Sequence, residues 1–283
     1  MRIISKISEL RDTIKTIKND GKTIGLVPTM GALHLGHLSL VSQSVAHNNV
    51  TVVSVFVNPT QFNNKEDLRN YPRTLEQDAK ILSEAGCDIL FAPESSEIYT
   101  EQELQETFDF DFKGLDLVME GKFRPGHFNG VVQIVSKLFS LVEPDRAYFG
   151  QKDFQQLAII RLMVNTYGLG VEIVACPIVR EDSGLALSSR NALLEDNDRL
   201  VAPHIFAVLK ESLQFVPSTP VEELKECVVK AIEQNSRLRV EYFEIVDGVT
   251  LQPIKSWEEV DYVVGCITVY CGKIRLIDNI KYK

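Results

Sequence analysis

The stretch Val-Thr-Val-Val-Ser-Val-Phe-Val at residues 50–57 is apolar on both faces and β-branched almost throughout. A strand with no polar side must be covered above and below, the situation in a parallel sheet whose crossover connections lay helices on both faces. The pattern recurs along the first two-thirds of the chain: Thr23–Val27, Asp88–Phe91, Ala147–Phe149 and Val171–Cys176 read as further short, buried strands. Between them, helical spacing of apolar residues predicts helices over Lys6–Asn19 (Ile7, Leu10, Ile14, Ile17), Gly36–His47, Leu75–Ala85, His127–Val142 and Asp153–Tyr167.

Beyond about residue 180 the character changes. Two helices, Asp196–Phe215 and Val221–Gln234, are joined by a surface turn at Val216–Pro220. Alternating strands follow at Glu241–Val246, Tyr262–Tyr270 and Ile274–Asp278, the last two closing a tight hairpin at Cys271-Gly272-Lys273. The expected fold is α/β, a Rossmann-like parallel sheet in residues 1–180 followed by a smaller α+β domain in residues 181–283. With 283 residues, 45% of them hydrophobic, such a chain buries about three quarters of its unfolded surface.

Charge and cysteine usage narrow the function classes. The formal net charge of −9 argues against a nucleic-acid partner held through many phosphate contacts. The 5 cysteines are odd in number and widely spaced, which supports neither a disulfide framework nor a zinc knuckle and fits a reducing cytoplasm. No run of about 18 apolar residues and no signal-like N-terminus occurs, so a soluble, unprocessed protein without a membrane partner is expected.

In a parallel sheet, ligands bind beyond the carboxyl ends of the strands, and the unusual residues of this chain lie there. Pro-Thr-Met-Gly-Ala-Leu-His-Leu-Gly-His at residues 28–37 closes the first buried strand and opens a helix, where unpaired N–H groups and a partial positive charge suit a phosphate. Two imidazoles, His34 and His37, stand at that helix start and can donate to charge developing on a transferring phosphorus. Gly36 leaves room for a purine or phosphate to approach.

Asn58 and Gln61 follow the second of these strands, Gly150, Gln151, Lys152 and Asp153 the fourth, and Val179 the fifth. Lys152 can reach the cleft with Gln156 one turn down the same helix face, whereas a plain helix start capped by Asp153 is the bland alternative. Ser188 and Ser189 can donate to phosphate oxygens, and Arg190 adds a guanidinium fork. Asn58, Gln61, Tyr71 and Arg124 are polar or basic groups suited to a hydroxylated carboxylate. No Walker loop, Gly-x-Gly-x-x-Gly fingerprint or Gly-x-Ser-x-Gly elbow occurs. The pattern points to nucleotidyl transfer.

Five ordered blocks, Pro28–His37, Val55–Phe62, Phe123–Phe128, Tyr148–Asp153 and Leu187–Asn191, closely resemble the pantothenate synthetases. These are pantoate–β-alanine ligases of the HxGH nucleotidyltransferase superfamily that also holds class I aminoacyl-tRNA synthetases. The resemblance implies ATP, D-pantoate and β-alanine as substrates, Mg²⁺ carried by the ATP phosphates with no protein side chain committed to a metal, and a homodimer. It implies a bound pantoyl adenylate, then pantothenate, AMP and pyrophosphate. It places ATP against Met30, Gly31, Ala32, Leu33, His34, Leu35, Gly36, His37, Gly150, Gln151, Lys152, Asp153, Val179, Leu187, Ser188, Ser189 and Arg190.

The same resemblance has Asp153 on the ribose, backbone at Val179 and Leu187 on adenine, pantoate at Gln61 and Gln156, and β-alanine near Gln61. The catalytic donors would be His34, His37, Lys152, Ser188, Ser189 and Arg190. The lysine-rich loop of the related synthetases stands here as Leu-Ala-Leu-Ser-Ser-Arg, which puts its charge on Arg190. The nearest rival is another adenylyl- or cytidylyltransferase, which would leave the nucleotide on its product. A binding protein that lost the chemistry is a third reading, disfavoured because each candidate position carries a competent side chain.

Overall fold

Six parallel strands form the first sheet, in the order β1-β4-β3-β2-β5-β6. They are β1 (Arg2–Ile4), β2 (Ile24–Thr29), β3 (Val50–Val55), β4 (Ile89–Phe91), β5 (Arg146–Gly150) and β6 (Glu172–Cys176). The computed structural model describes every residue from Met1 to Lys283. The strand β1, three residues long, is not apparent from the sequence. It pairs only with β4 at the sheet edge and buries Ile4 alone, too short for any periodicity.

The long helices of this half are α1 (Ile7–Asn19) and α2 (Leu35–His47), with α3 (Lys65–Asn70) and α4 (Leu75–Glu84) in the connection after β3. Short helices α5 (Ser95–Ile98), α6 (Glu101–Gln105) and α7 (Met119–Phe123) precede the long α8 (His127–Val142) and α9 (Phe154–Tyr167). One face of the sheet packs on α1, α8 and α9 through a large apolar cluster that includes Leu26, Val52, Leu138 and Ile160. The other face packs Val27, Val53 and Leu90 on Val41 of α2 and Leu82 of α4. Covering on both faces is why β3 tolerates no polar stripe.

The second sheet is antiparallel, β7 (Leu238–Asp247), β8 (Val263–Cys271) and β9 (Ile274–Lys281), with its own core against α11 (His204–Ser212) and α12 (Val221–Glu233). The hairpin turn at Gly272 takes φ +57°. Two sequence expectations are corrected. The single helix over Asp196–Phe215 divides into α10 (Asp196–Val201), α11 and a terminal 3₁₀ turn, because Pro203 cannot continue the backbone ladder. Strand β7 starts three residues before Glu241, its alternation masked by a bulge between Val240 and Tyr242. No helix is long and apolar enough to cross a membrane.

Between β2 and β5 the strand order reverses, since β2 runs on to β3 on one side and meets β5 on the other. Such a switch point opens a crevice at the carboxyl ends of the strands.

Candidate active site

The crevice holds a cleft of about 1250 Å³ including its open mouth, lined by segments following β2, β3, β5 and β6 and by residues 187–190. Met30, His34, Gly36, His37, Asn58, Gln61, Tyr71, Gly150, Lys152, Asp153, Gln156, Val179, Leu187, Ser188, Ser189 and Arg190 all face it. The remaining sequence candidates do not. Leu35 is 68% exposed, and Gly31, Ala32, Leu33 and Gln151 are not among the residues that line the cleft. Arg124 lines an adjoining smaller chamber that shares Lys152, Asp153 and Gln156 with the main cleft. There it lies 3.2 Å from Nε2 of His127 and 3.6 Å from the Glu120 carboxylate.

The two imidazoles define one wall. Their ring centroids are 4.1 Å apart. Nδ1 of His34 accepts from the Gly36 N–H at 3.1 Å, and Nδ1 of His37 from the His34 N–H at 3.4 Å. Each Nδ1 is thus an acceptor, which leaves Nε2 of both rings to carry the proton. Enclosure pushes His34 down to about 4 and His37 to about 3, helped by the Lys152 ammonium and, for His37, by the neighbouring ring. At neutral pH both are uncharged N–H donors. A Cβ at Gly36 would lie 2.8 Å from the His34 ring and 3.7 Å from the Leu187 Cβ, so this glycine seats the imidazole in the cleft wall. Gly150 differs, since a Cβ there meets nothing within 4 Å and would project into open space at the end of β5.

The backbone N–H groups just ahead of α2 are not open to a phosphate. The Ala32 and Leu33 amides donate at 3.0 and 2.9 Å to the two carboxylate oxygens of Asp78, and the Gly31 amide donates to Thr29 Oγ1. Sequence spacing missed Asp78 because it lies on α4, more than forty residues away. The side-chain donors that face the cleft are the imidazole N–H groups, Lys152, Ser188, Ser189 and Arg190.

Gln61 is set by a buried network. Asn58, 1% exposed, donates through Nδ2 to Gln61 Oε1 at 3.1 Å and to the Gly130 carbonyl at 3.0 Å, while its own oxygen accepts from Tyr99 at 2.8 Å. Asn58 is thereby occupied in orienting Gln61, whose Nε2 lies 2.9 Å from Met30 Sδ. His127 Nδ1 is 2.8 Å from the Gln61 carbonyl, which fixes that ring as the Nδ1–H donor, and burial followed by Arg124 lowers its pKa to about 3. Gly130 and His127 were missed as well. The signals available were a glycine in the first turn of an apolar helix and the histidine of Phe-Arg-Pro-Gly-His.

Opposite the imidazoles, Ser188 caps a 3₁₀ turn by accepting from the Arg190 N–H, and Arg190 pairs with Asp67 of α3 at 3.0 Å. The Tyr71 hydroxyl is 3.5 Å from Ser189 Oγ, and burial raises its pKa. Leu187 N–H donates to the Val179 carbonyl at 3.0 Å, which leaves the Val179 N–H and Leu187 carbonyl open to a ligand. Asp153 caps nothing with its side chain, so the bland reading of it as a helix cap is set aside. No cluster of three or more His, Cys, Asp or Glu side chains is arranged to hold a metal.

The sequence model described as pantoate-beta-alanine ligase matches residues 2–281. Among curated relatives, the pantothenate synthetase of Phocaeicola vulgatus is 59% identical over 284 residues, covering 100% of both chains, and that of Bacteroides thetaiotaomicron is 58% identical over 283 residues, covering 100% of this chain and 99% of the other. Among solved structures, pantothenate synthetase from Thermus thermophilus superposes with a TM-score of 0.92 at 42% identity, covering 100% and 99%. Pantoate-beta-alanine ligase from Francisella tularensis, complexed with beta-gamma ATP and beta-alanine, gives 0.82 at 34%, covering 100% and 98%. The match runs end to end in both sequence and fold, and the chain belongs to the pantoate-beta-alanine ligase family.

Proposed function

We infer that the protein condenses D-pantoate with β-alanine at the expense of ATP, through pantoyl adenylate, releasing AMP and pyrophosphate. The observation that carries this reading is the convergence, in one switch-point cleft, of neutral imidazole donors, Lys152 and the Ser188–Arg190 turn around the amide pair Gln61 and Gln156. Adenine is read by the Val179 N–H and the Leu187 carbonyl, and Asp153 accepts from the ribose. Gln61 and Gln156 hold pantoate so that its carboxylate attacks the α-phosphorus in line, forming the acyl–phosphate bond as the bond to pyrophosphate breaks.

Charge builds on the non-bridging and leaving oxygens. His34 and His37 follow it through Nε2–H, Lys152 through its ammonium, and Ser188, Ser189 and Arg190 from the facing wall. Arg190 reaches the phosphates by exchanging its Asp67 partner for them. Mg²⁺ supplies charge neutralisation on the phosphate oxygens. A chain without a carboxylate cluster suits a hard ion that keeps several waters and binds through the nucleotide.

β-Alanine then attacks the mixed anhydride as its free amine and displaces AMP. Imidazoles with pKa values of about 4 and 3 are donors, not bases for an ammonium near pKa 10. Residues 181–283 form the lid over the adenylate, and the protein works as a cytoplasmic homodimer, a state that sedimentation at micromolar concentration tests.

The decisive experiment is ATP–pyrophosphate exchange with Mg²⁺ and D-pantoate in the absence of β-alanine. Pantoate-dependent exchange is expected. AMP formation only when β-alanine is added, without exchange, overturns the adenylate route.

A further inference from the structure

Asp78 is an unusual carboxylate. It is 1% exposed, in the first turns of α4, and its three partners are neutral: the Ala32 N–H at 3.0 Å, the Leu33 N–H at 2.9 Å and the Thr74 hydroxyl at 3.2 Å. A buried charge without a counter-ion is kept only where its hydrogen bonds are complete, and here both oxygens are committed to one backbone turn. That turn is itself unfavourable. Gly31 has φ +86° and Ala32 φ +50°, two consecutive left-handed residues of which one bears a side chain. Successive N–H groups in such a turn converge into a nest that takes an anion, and Asp78 fills it from inside the protein.

The turn leads directly into the catalytic wall. His34 follows Leu33, its N–H points at Nδ1 of His37, and that bond decides which nitrogen of His37 carries the proton. We propose that Asp78 is the positioning residue of this wall: by holding the Gly31–Leu33 turn it aims the His34 N–H at His37 Nδ1, and so presents the Nε2–H of His37 to the transferring phosphate. Asp78 touches neither substrate nor reacting atoms. It acts through His37, and it also accounts for the Ala32 and Leu33 amides pointing away from the cleft. The catalytic part rests on the adenylation reading above, whereas the tautomer part does not.

Asp78→Asn is the test, because it keeps the shape and turns one acceptor into a donor facing an N–H. In pantoate-dependent exchange its kcat is expected to fall about 10- to 100-fold with both KM values within about threefold, since a misaimed donor is felt in the transition state alone. Added to His37→Ala, it is expected to cost no more than about a further threefold, because the two act through one ring. A kcat within threefold of the parent, a loss confined to KM, or fully multiplicative effects overturns the proposal.

Long-range ¹H–¹⁵N spectra of the His37 ring read the tautomer with no substrate present. The parent shows Nε2–H alone and Asp78→Asn a mixture. Unchanged spectra refute the positioning role even in a protein whose exchange reaction fails outright. Should Asp78→Asn not fold, Thr74→Val, which removes only the hydroxyl donated to Asp78, decides by the same spectra: a mixture supports the role, and an unchanged ring overturns it.

Discussion

Replacing Gly130 by alanine isolates the part of the site proposed to hold pantoate. Gly130 lies on α8, where an added Cβ falls 2.5 Å from the Gln61 amide nitrogen and closer still to the Thr60 carbonyl. Carbon needs roughly 3.5 Å from such atoms, so the backbone of Pro59–Gln61 must retreat by about 1 Å. Overpacking of this kind costs about 1–3 kcal/mol, or roughly 2–6 °C in melting temperature for a chain of this size. The catalytic cost is larger, since a displacement of about 1 Å in a positioning group can lose about 100-fold. The shift carries Gln61 and strains the Asn58 bond to the Gly130 carbonyl, while the donors around ATP sit on other segments. The assay is exchange kinetics with each substrate varied in turn. Pantoate KM is expected to rise at least tenfold, with ATP KM within about twofold. An unchanged pantoate KM in a protein that melts at the parent temperature refutes the claim that this contact places Gln61.

His37→Ala is expected to lower the adenylation rate by about 10²–10³, the usual cost of one transition-state donor, and a loss below about threefold removes His37 from that role. Because His34 and His37 are held to about 4 and 3, exchange is expected to show no ionisation near pH 6–7 that His37→Ala abolishes, as a pH–rate profile checks. His127, 7% exposed and lowered to about 3, stays neutral when folded but takes a proton when unfolded. Its contribution to stability is therefore fully present above pH 6.5 and lost as pH falls towards 3, at about 1.4 kcal/mol per pH unit between about pH 6 and 4, and denaturant titrations at pH 6, 5 and 4 should show a slope that His127→Gln reduces by about that amount. Closure of residues 181–283 over the adenylate is expected to compact the protein, so identical small-angle scattering with and without ATP plus pantoate weighs heavily against a lid.

What could be read from the sequence was what local pattern encodes. Strands buried on both faces announce themselves, and so do blocks of unusual residues at their ends, which is why the parallel sheet and most of the cleft lining were visible from Val50–Val57 and Pro28–His37. Contacts across the chain leave no such trace. Nothing around Asp78 distinguishes it from other acidic residues in a first helical turn, and its meaning appears only when α4 lies beside the turn after β2. Gly130 reads as a weak spot in an apolar helix until Thr60 is packed on it. Two placements have the same origin: the amides of Ala32 and Leu33, just ahead of the helix start, are taken by a carboxylate from a distant helix, and Arg124 stands with Glu120 and His127 in a chamber that adjoins the cleft.

The junction of the two sheets limits how any lid can move. Asn279 of β9 donates through Nδ2 to the carbonyls of Gln151 and Lys152 at 2.9 and 3.0 Å. Its neighbour Asp278 takes a bidentate pair from Arg180 at 2.6 and 2.8 Å, one residue past the Val179 that lines the cleft. Glu120, ahead of α8, meets Arg275 of β9 at 2.6 and 2.7 Å. These groups are largely buried, and removing one partner of such a pair leaves a charge or amide without compensation, at several kcal/mol for the ions. A second sheet that swung away as a free body would break all three contacts and release the loop that bears Lys152. A rotation about β9 is the expected closing motion: it keeps Lys152 seated while the Ser188–Arg190 turn, tied at its far side by the half-exposed Arg190–Asp67 pair and the 3.5 Å contact of Tyr71 with Ser189, travels towards the phosphates. On the proposed lid, the lysine is expected to belong to the fixed half of the site and the arginine to the moving half, so that closure completes the set of donors around the transferring phosphorus.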